Sequence, residues 1–249
     1  YSMVSLLILF AVSMLANGLS ALAGGGAGLL QFPALLLLGL SFASALATHK
    51  VASVALGLGA TYRHLRDSKL NARFAFFILS WGLPGVIIGA TVILWVPDRL
   101  AEGVLGMFTV GLGLYSVFSP DLGIQENSKL LSTTGKLLGG LGLFFIGFLN
   151  GSVTSGTGLF VTVWLVMWFG LSYATAVAYT LVLVGIFWNG VGALVLNLQT
   201  QAEWGWLPPL IAGALIGGYF GAHWSIVNGS ALVKRAFEML TITVGMSLV

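Results

Sequence analysis

The sequence predicts an all-α polytopic membrane protein made of two inverted-topology repeats. Each repeat is expected to hold a short interrupted or re-entrant helix pair plus three transmembrane helices. Three observations carry this. Of 249 residues, 58% are hydrophobic and 7% charged, and the mean hydropathy is +1.02. A soluble domain carries about 25% charged residues; ten basic and seven acidic side chains cannot cover a water-exposed surface of this size. The same numbers exclude disorder, which needs low hydrophobicity and high charge. Polar clusters cut the chain into five apolar segments per half, and the two halves resemble each other.

The segments follow from the polar breaks. The first half reads as 3–20, 28–39, 42–62, 74–96 and 101–118, and the second as 137–149, 158–170, 172–197, 204–225 and 231–248. A full crossing needs about 20 residues, so 28–39, 137–149 and 158–170 are expected to be short pieces. Residues 3–23 lack a basic n-region and a cleavage site and read as a retained span, not a signal peptide. The domains are then a first repeat over 1–118, a cytoplasmic linker over 119–136 and a second repeat over 137–249. No alternating strand pattern suggests a β-barrel. A chain without cysteine has no disulfide, thiolate metal site or Cys nucleophile. The net charge of +3 is no nucleic-acid signal, because the basic residues sit in short loops.

Those loops orient the chain. Arg63, Arg66, Lys69 and Arg73 cluster in one loop, Lys129 and Lys136 in another, and Lys234 and Arg235 open the last span. Placing these in the cytoplasm puts eight of the ten Lys and Arg inside, Arg99 and Lys50 being the exceptions, and sends both termini outward. Trp95, Trp204 and Trp206 then fall at the outer interface and Trp224 at the inner one.

The repeat is visible as Gly39-Leu-Ser-Phe-Ala-Ser-Ala-Leu-Ala47 against Gly170-Leu-Ser-Tyr-Ala-Thr-Ala-Val-Ala178, with six of nine positions identical. Leu83–Ala90 then matches Leu207–Ala214, and Met107 and Thr109 match Met239 and Thr241. An odd number of segments per half inverts the second half in the membrane, and inverted repeats with interrupted helices are a transporter architecture. The interruptions are Ser20-Ala-Leu-Ala-Gly24-Gly25-Gly26-Ala-Gly28, followed by Gln31 and Pro33, and Asn150-Gly151-Ser152-Val-Thr154-Ser155-Gly156-Thr157-Gly158. Unwound backbone in a bilayer is tolerated only where protein or a wet cavity satisfies it. The helices that restart there present N–H groups and partial positive charge suited to an anion.

Lys50 lies inside the third segment beside His49, with no Asp or Glu in any expected membrane core. An intramembrane charge is by default a functional hypothesis. Three readings stand side by side: Lys50 attracts an anionic substrate, it snorkels to the outer interface, or backbone carbonyls at a break hold it. His49 could titrate and carry a proton, or make a structural hydrogen bond.

The glycine-rich break with Pro33, the Ala-rich stretch 43–47 with Thr48, and the same layout in the second half resemble the sulfite exporter TauE/SafE family, also called the 4-toluene sulfonate uptake permeases. By this resemblance Gly24, Gly25, Gly26 and Pro33 match the first family motif and Gly156 and Gly158 the second. Ser155 and Thr157 interrupt the second glycine cluster, and Val163 or Trp164 stands at its proline position. The family implies transport of small sulfur-containing anions, such as sulfite, sulfonates and sulfoacetate, across the bacterial cytoplasmic membrane.

The expected site lies between the two breaks. Backbone N–H groups near Gly25–Gly28 and Ser155–Gly158 would bind the anion, helped by Gln31, Asn150, Ser152 and Thr154. Lys50, with His49 beside it, would raise the potential, and Thr48, Tyr179 and Thr180 would line the path. The expected partners are a small anion and the lipid bilayer. No cofactor, metal or nucleic acid is expected; a proton as coupling ion and a homodimer stay open. Two competing classes are an intramembrane hydrolase using Ser155 and His49, which would lack a Gly-x-Ser-x-Gly turn, and a non-transporting membrane subunit.

Overall fold

The computed structural model describes residues 2–67, 70–92, 98–152 and 156–249. Lys69, Trp95, Thr154 and Ser155 lie outside them. The described chain is helical, and four stretches are long and apolar enough to cross a bilayer: Met3–Ala23, Ala72–Val92, Tyr173–Asn197 and Trp204–Ser247. In order, the first half holds α1 (Met3–Ala23), α2 (Ala27–Leu37), α3 (Phe42–His64), α4 (Ala72–Val92) and α5 (Asp98–Val117). The second half holds α6 (Thr133–Ser152), α7 (Thr157–Phe169), α8 (Tyr173–Asn197) and α9 (Leu207–Leu248). α9 is broken at Gly229 (φ 73°, ψ −169°), so it supplies the last two expected segments as two arms.

One element differs from expectation. α6 is a full 20-residue helix, not a short piece over 137–149. Its polar ends conceal its length: Lys136 lies within the first turn, and Asn150 and Ser152 find hydrogen-bond partners inside the protein. Each interrupted pair is therefore one long helix followed by one short one.

Matching local chemistry starts the third helix of each half. Gly39 (φ 103°) and Gly170 (φ 77°) turn the chain out of α2 and α7. Ser41 and Ser172 then cap α3 and α8, accepting the N–H of Ser44 and Thr175 at 3.3 Å.

Small residues bring the long helices into backbone contact, as membrane helix packing favours. Gly217 lies against the Met14 carbonyl and Gly221 against that of Gly18; in the other half Gly85 lies against the Phe144 carbonyl and Gly89 against that of Phe148. Met14 and Phe144 each stand twelve residues before the glycine that opens the short helix. Gly217 and Gly221 thus make in one half the contacts that Gly85 and Gly89 make in the other, eight residues beyond the pairing of Leu83–Ala90 with Leu207–Ala214. Thr109 and Thr241 are both fully buried, and Thr241 lies against Gly113 of α5.

Large apolar side chains cover the outside, among them Leu7, Leu15, Phe76, Phe108, Phe145 and Met239, each more than half exposed. Such a surface fits lipid, not water. Among the buried polar side chains, Ser20, His49, Ser53, Asn150, Thr157, Thr162 and Thr180 lie around the two breaks.

Candidate functional site between the two breaks

The two interruptions meet. Gly24, Gly25 and Gly26 carry φ values of 89°, 134° and 94° in succession, a run open to glycine alone. Gly26 and Gly156 (φ 73°) are the residues preceding α2 and α7. The space a Gly26 side chain would take is filled by Leu159, and that of Gly156 by Leu29. Between them Gly25 lies on the backbone of Gly158, where a Cβ would come within 2.5 Å of the Gly158 carbonyl carbon. Thr162 clasps the crossing: its hydroxyl donates to the Gly24 carbonyl at 2.6 Å and lies 2.9 Å from the Thr180 hydroxyl.

Beside this crossing is a cavity of about 40 Å³. Its polar lining comes from Ser20 on α1, His49 and Ser53 on α3, Asn150 on α6, Thr157 on α7, and Thr180 and Asn189 on α8. The first residues of α2 (Ala27, Gly28) and α7 (Thr157, Gly158) complete it. First-turn N–H groups have no intrahelical acceptor and carry the positive end of the helix dipole. Two such termini facing one cavity suit an anion. No carboxylate is among the lining residues. Thr180–Trp188, the stretch of α8 that lines the cavity, is π-wound, a geometry often found at functional sites. There α3 and α8 touch through Gly57 and Gly185.

Lys50 stands directly behind this lining. It is 1% exposed, so it does not snorkel. Its ammonium donates to Asn150 Oδ1 at 2.7 Å and Asn189 Oδ1 at 3.0 Å, and Asn150 Nδ2 donates on to Thr157 Oγ1 at 2.8 Å. Both asparagines face the cavity, so the charge reaches it through oriented amide dipoles. His49 is held on the other side. Its Nδ1 lies 3.2 Å from Gln31 Oε1. Ser53 Oγ is 3.2 Å from Nε2 and donates to the His49 carbonyl at 2.8 Å. Asn17 Nδ2 donates to the same Gln31 oxygen at 3.2 Å.

Of the residues expected from the sequence, Gly25, Gly26, Gly28, His49, Asn150, Gly156, Thr157 and Thr180 line the cavity. Gly24, Gln31 and Lys50 stand one contact behind. Four lie elsewhere. Pro33 is inside α2, where its missing N–H frees a carbonyl. Thr48 donates to the Ser44 carbonyl and accepts the Glu203 N–H, which ties α3 to the segment before α9. Ser152 donates back to the Phe148 carbonyl. Tyr179 is about 100° around α8 from Thr180, and its hydroxyl accepts the Asn71 N–H at 2.7 Å. Thr154 and Ser155, and with them the Ser155/His49 pair, fall outside the described residues. Sequence reasoning missed Ser53 and Asn189, and placed Ser20 at the start of the first break without assigning it to the site. Ser53 was within reach, since it follows His49 by one turn on the same face.

Comparison with known proteins agrees with this architecture. A family model described as Sulfite exporter TauE/SafE matches residues 9–248. A probable membrane transporter protein of Haemophilus influenzae is 32% identical over 230 residues, covering 92% of this chain and 88% of the relative. The probable membrane transporter protein YfcA of Escherichia coli is 28% identical, over 91% and 83% of the two chains. A probable membrane transporter protein, ORF9, of Sinorhizobium is 25% identical over 98% and 92%. No solved structure gives a significant match. These relatives are described as membrane transporters and not as enzymes. Apolar helices of crossing length, two glycine breaks in contact and a match over nearly the whole chain lead to one conclusion: the protein is a multi-pass membrane transporter and belongs to the sulfite exporter TauE/SafE family.

Proposed function

We propose that the protein carries a small, compact oxyanion, sulfite or a short organosulfonate, by alternating access about the cavity between the two breaks. The observation that carries this is Lys50, a buried cation whose partners are the oxygens of two cavity-lining asparagines. An anion in the cavity supplies the missing counter-charge. The N-termini of α2 and α7 and the hydroxyls of Ser53, Thr157 and Thr180 bind its oxygens. Size supports a compact substrate: one water needs about 10–15 Å³ of such volume, so the cavity of about 40 Å³ suits a few heavy atoms and not an aromatic sulfonate without movement.

The two halves are read as inverted repeats in a bacterial cytoplasmic membrane, with Arg63, Arg66, Arg73, Lys129 and Lys136 on the inside and both termini outside. Alternating access is then a rocking of one half against the other around the crossing of Gly25 and Gly158. With no carboxylate in the lining, a coupled proton travels on the anion or on His49.

The test is thermal stabilisation of the detergent-purified protein by sulfite, sulfate, thiosulfate, taurine, sulfoacetate, acetate and chloride. Binding to the native state raises its stability by mass action. A rise with one sulfur anion, absent in Asn150→Ala/Thr157→Ala, is expected. No rise with any sulfur anion, or an equal rise with chloride and acetate, overturns the reading.

A further inference from the structure

A second and larger cavity, of about 730 Å³, opens where the loops before α4 and α6 meet the turn between α7 and α8. Arg73, Lys129 and Lys136 line it. Its one acidic residue, Glu126, is engaged: Oε2 accepts the Ser172 N–H at the start of α8 at 2.9 Å, and Oε1 accepts from Ser128 at 3.2 Å. Lys129 reaches the Met167 carbonyl at 3.0 Å, and neither Arg73 nor Lys136 makes an ion pair among the described residues. The cavity therefore carries a net positive charge.

Its deep wall is aromatic. Phe74, Phe169 and Tyr179 form edge-to-face pairs with centroids 5.2 Å apart, and Phe77 adds a further contact to Phe169 at 5.9 Å. Tyr179 lines this cavity, and the next residue, Thr180, lines the central one. α6 and α7 likewise run from one cavity to the other, through Lys136 and Asn150 and through Phe169 and Thr157. A cationic chamber and an anion-suited chamber thus lie along the same three helices, and the rings line the larger one.

We infer that the larger cavity is a second anion site, a vestibule that collects a small sulfonate or other oxyanion ahead of the aromatic cluster. This rests on the transport reading above. Low-dielectric walls with an excess of one sign of charge concentrate counter-ions, and the cluster of Phe74, Phe77, Phe169 and Tyr179 is what must part for the anion to pass between this cavity and the central one.

The chain has no cysteine, so Ser128→Cys places a single thiol in the cavity. The probes are the anionic sulfonatoethyl and the cationic trimethylammonioethyl methanethiosulfonates, with each rate normalised to free cysteine. The anionic reagent is expected to react about tenfold faster. Methanesulfonate should slow it, and Arg73→Gln/Lys136→Gln should abolish the preference while leaving stabilisation by sulfite in place. A normalised ratio near one overturns the proposal. So does slowing by cardiolipin in the vesicle with none by methanesulfonate, which would make the cavity a lipid-headgroup site. Failure of the central site registers separately, as sulfite stabilisation that is absent or that survives Asn150→Ala/Thr157→Ala, and leaves the labelling of the single-thiol variant unaffected.

Discussion

Replacing Lys50 by Met tests the charge behind the central cavity most directly. The ammonium is 2.7 Å from Asn150 Oδ1. An anion on the far side of that amide would sit about 7 Å from Nζ, and unit charges at that separation attract by about 2.4 kcal/mol at an effective dielectric constant of about 20. Lys50→Met should therefore raise the sulfite dissociation constant roughly 50-fold for a monoanion, and a dianion would lose about twice the free energy. Two effects on the empty protein oppose each other. The variant no longer buries a charge, but it leaves Asn150 Oδ1 and Asn189 Oδ1 without their ammonium donor. Isothermal titration of sulfite gives the affinity, and the unfolding midpoint without ligand reports on the fold. Affinity within threefold of wild type, at an unchanged midpoint, would refute the electrostatic role.

Other perturbations bear on the scaffold. Thr162→Val removes the hydroxyl that bridges the Gly24 carbonyl and Thr180; denaturant titration should show a loss of about 1 kcal/mol, and no loss would mean the clasp is idle. Gly25→Ala puts a Cβ against the Gly158 backbone at φ 134°, so size-exclusion chromatography should show little monodisperse protein. Gly103→Ala, with nothing among the described residues within 4 Å of the new methyl, should elute as wild type. Lys234→Met removes the cation that meets Glu238 at 3.1 Å and leaves the carboxylate with only the Ser116 hydroxyl as a side-chain partner among the described residues. It should cost about 3 kcal/mol, and Lys234→Met/Glu238→Gln should recover most of it; a double variant no more stable than the single one would count against the pair.

Helix positions were legible because polar residues in this chain cluster at helix ends, and the site because glycine runs rarely serve an uninterrupted membrane helix. The errors share one physical cause: in an apolar helix a residue type does not determine its role. Lys136 and Asn150 look like loop residues, yet both lie within α6, one at its opening turn and one held by Lys50 and Thr157. Lys50, near a helix start, reads equally as a snorkelling lysine and as an anion attractor, and amide oxygens from α6 and α8 hold it inside. Those partners are 100 and 139 residues away, and no local pattern reports them. The repeat register shows the same degeneracy. Pro84 lies within α4, whereas Pro208 lies in the first turn of α9, so aligning them equates an interior position with a helix start. What fixes the register is where a helix can do without a Cβ. Gly85 and Gly89 meet Phe144 and Phe148 as Gly217 and Gly221 meet Met14 and Gly18. In a membrane protein whose helices are chemically alike, positions of backbone contact are thus a better guide to repeat equivalence than residue identity.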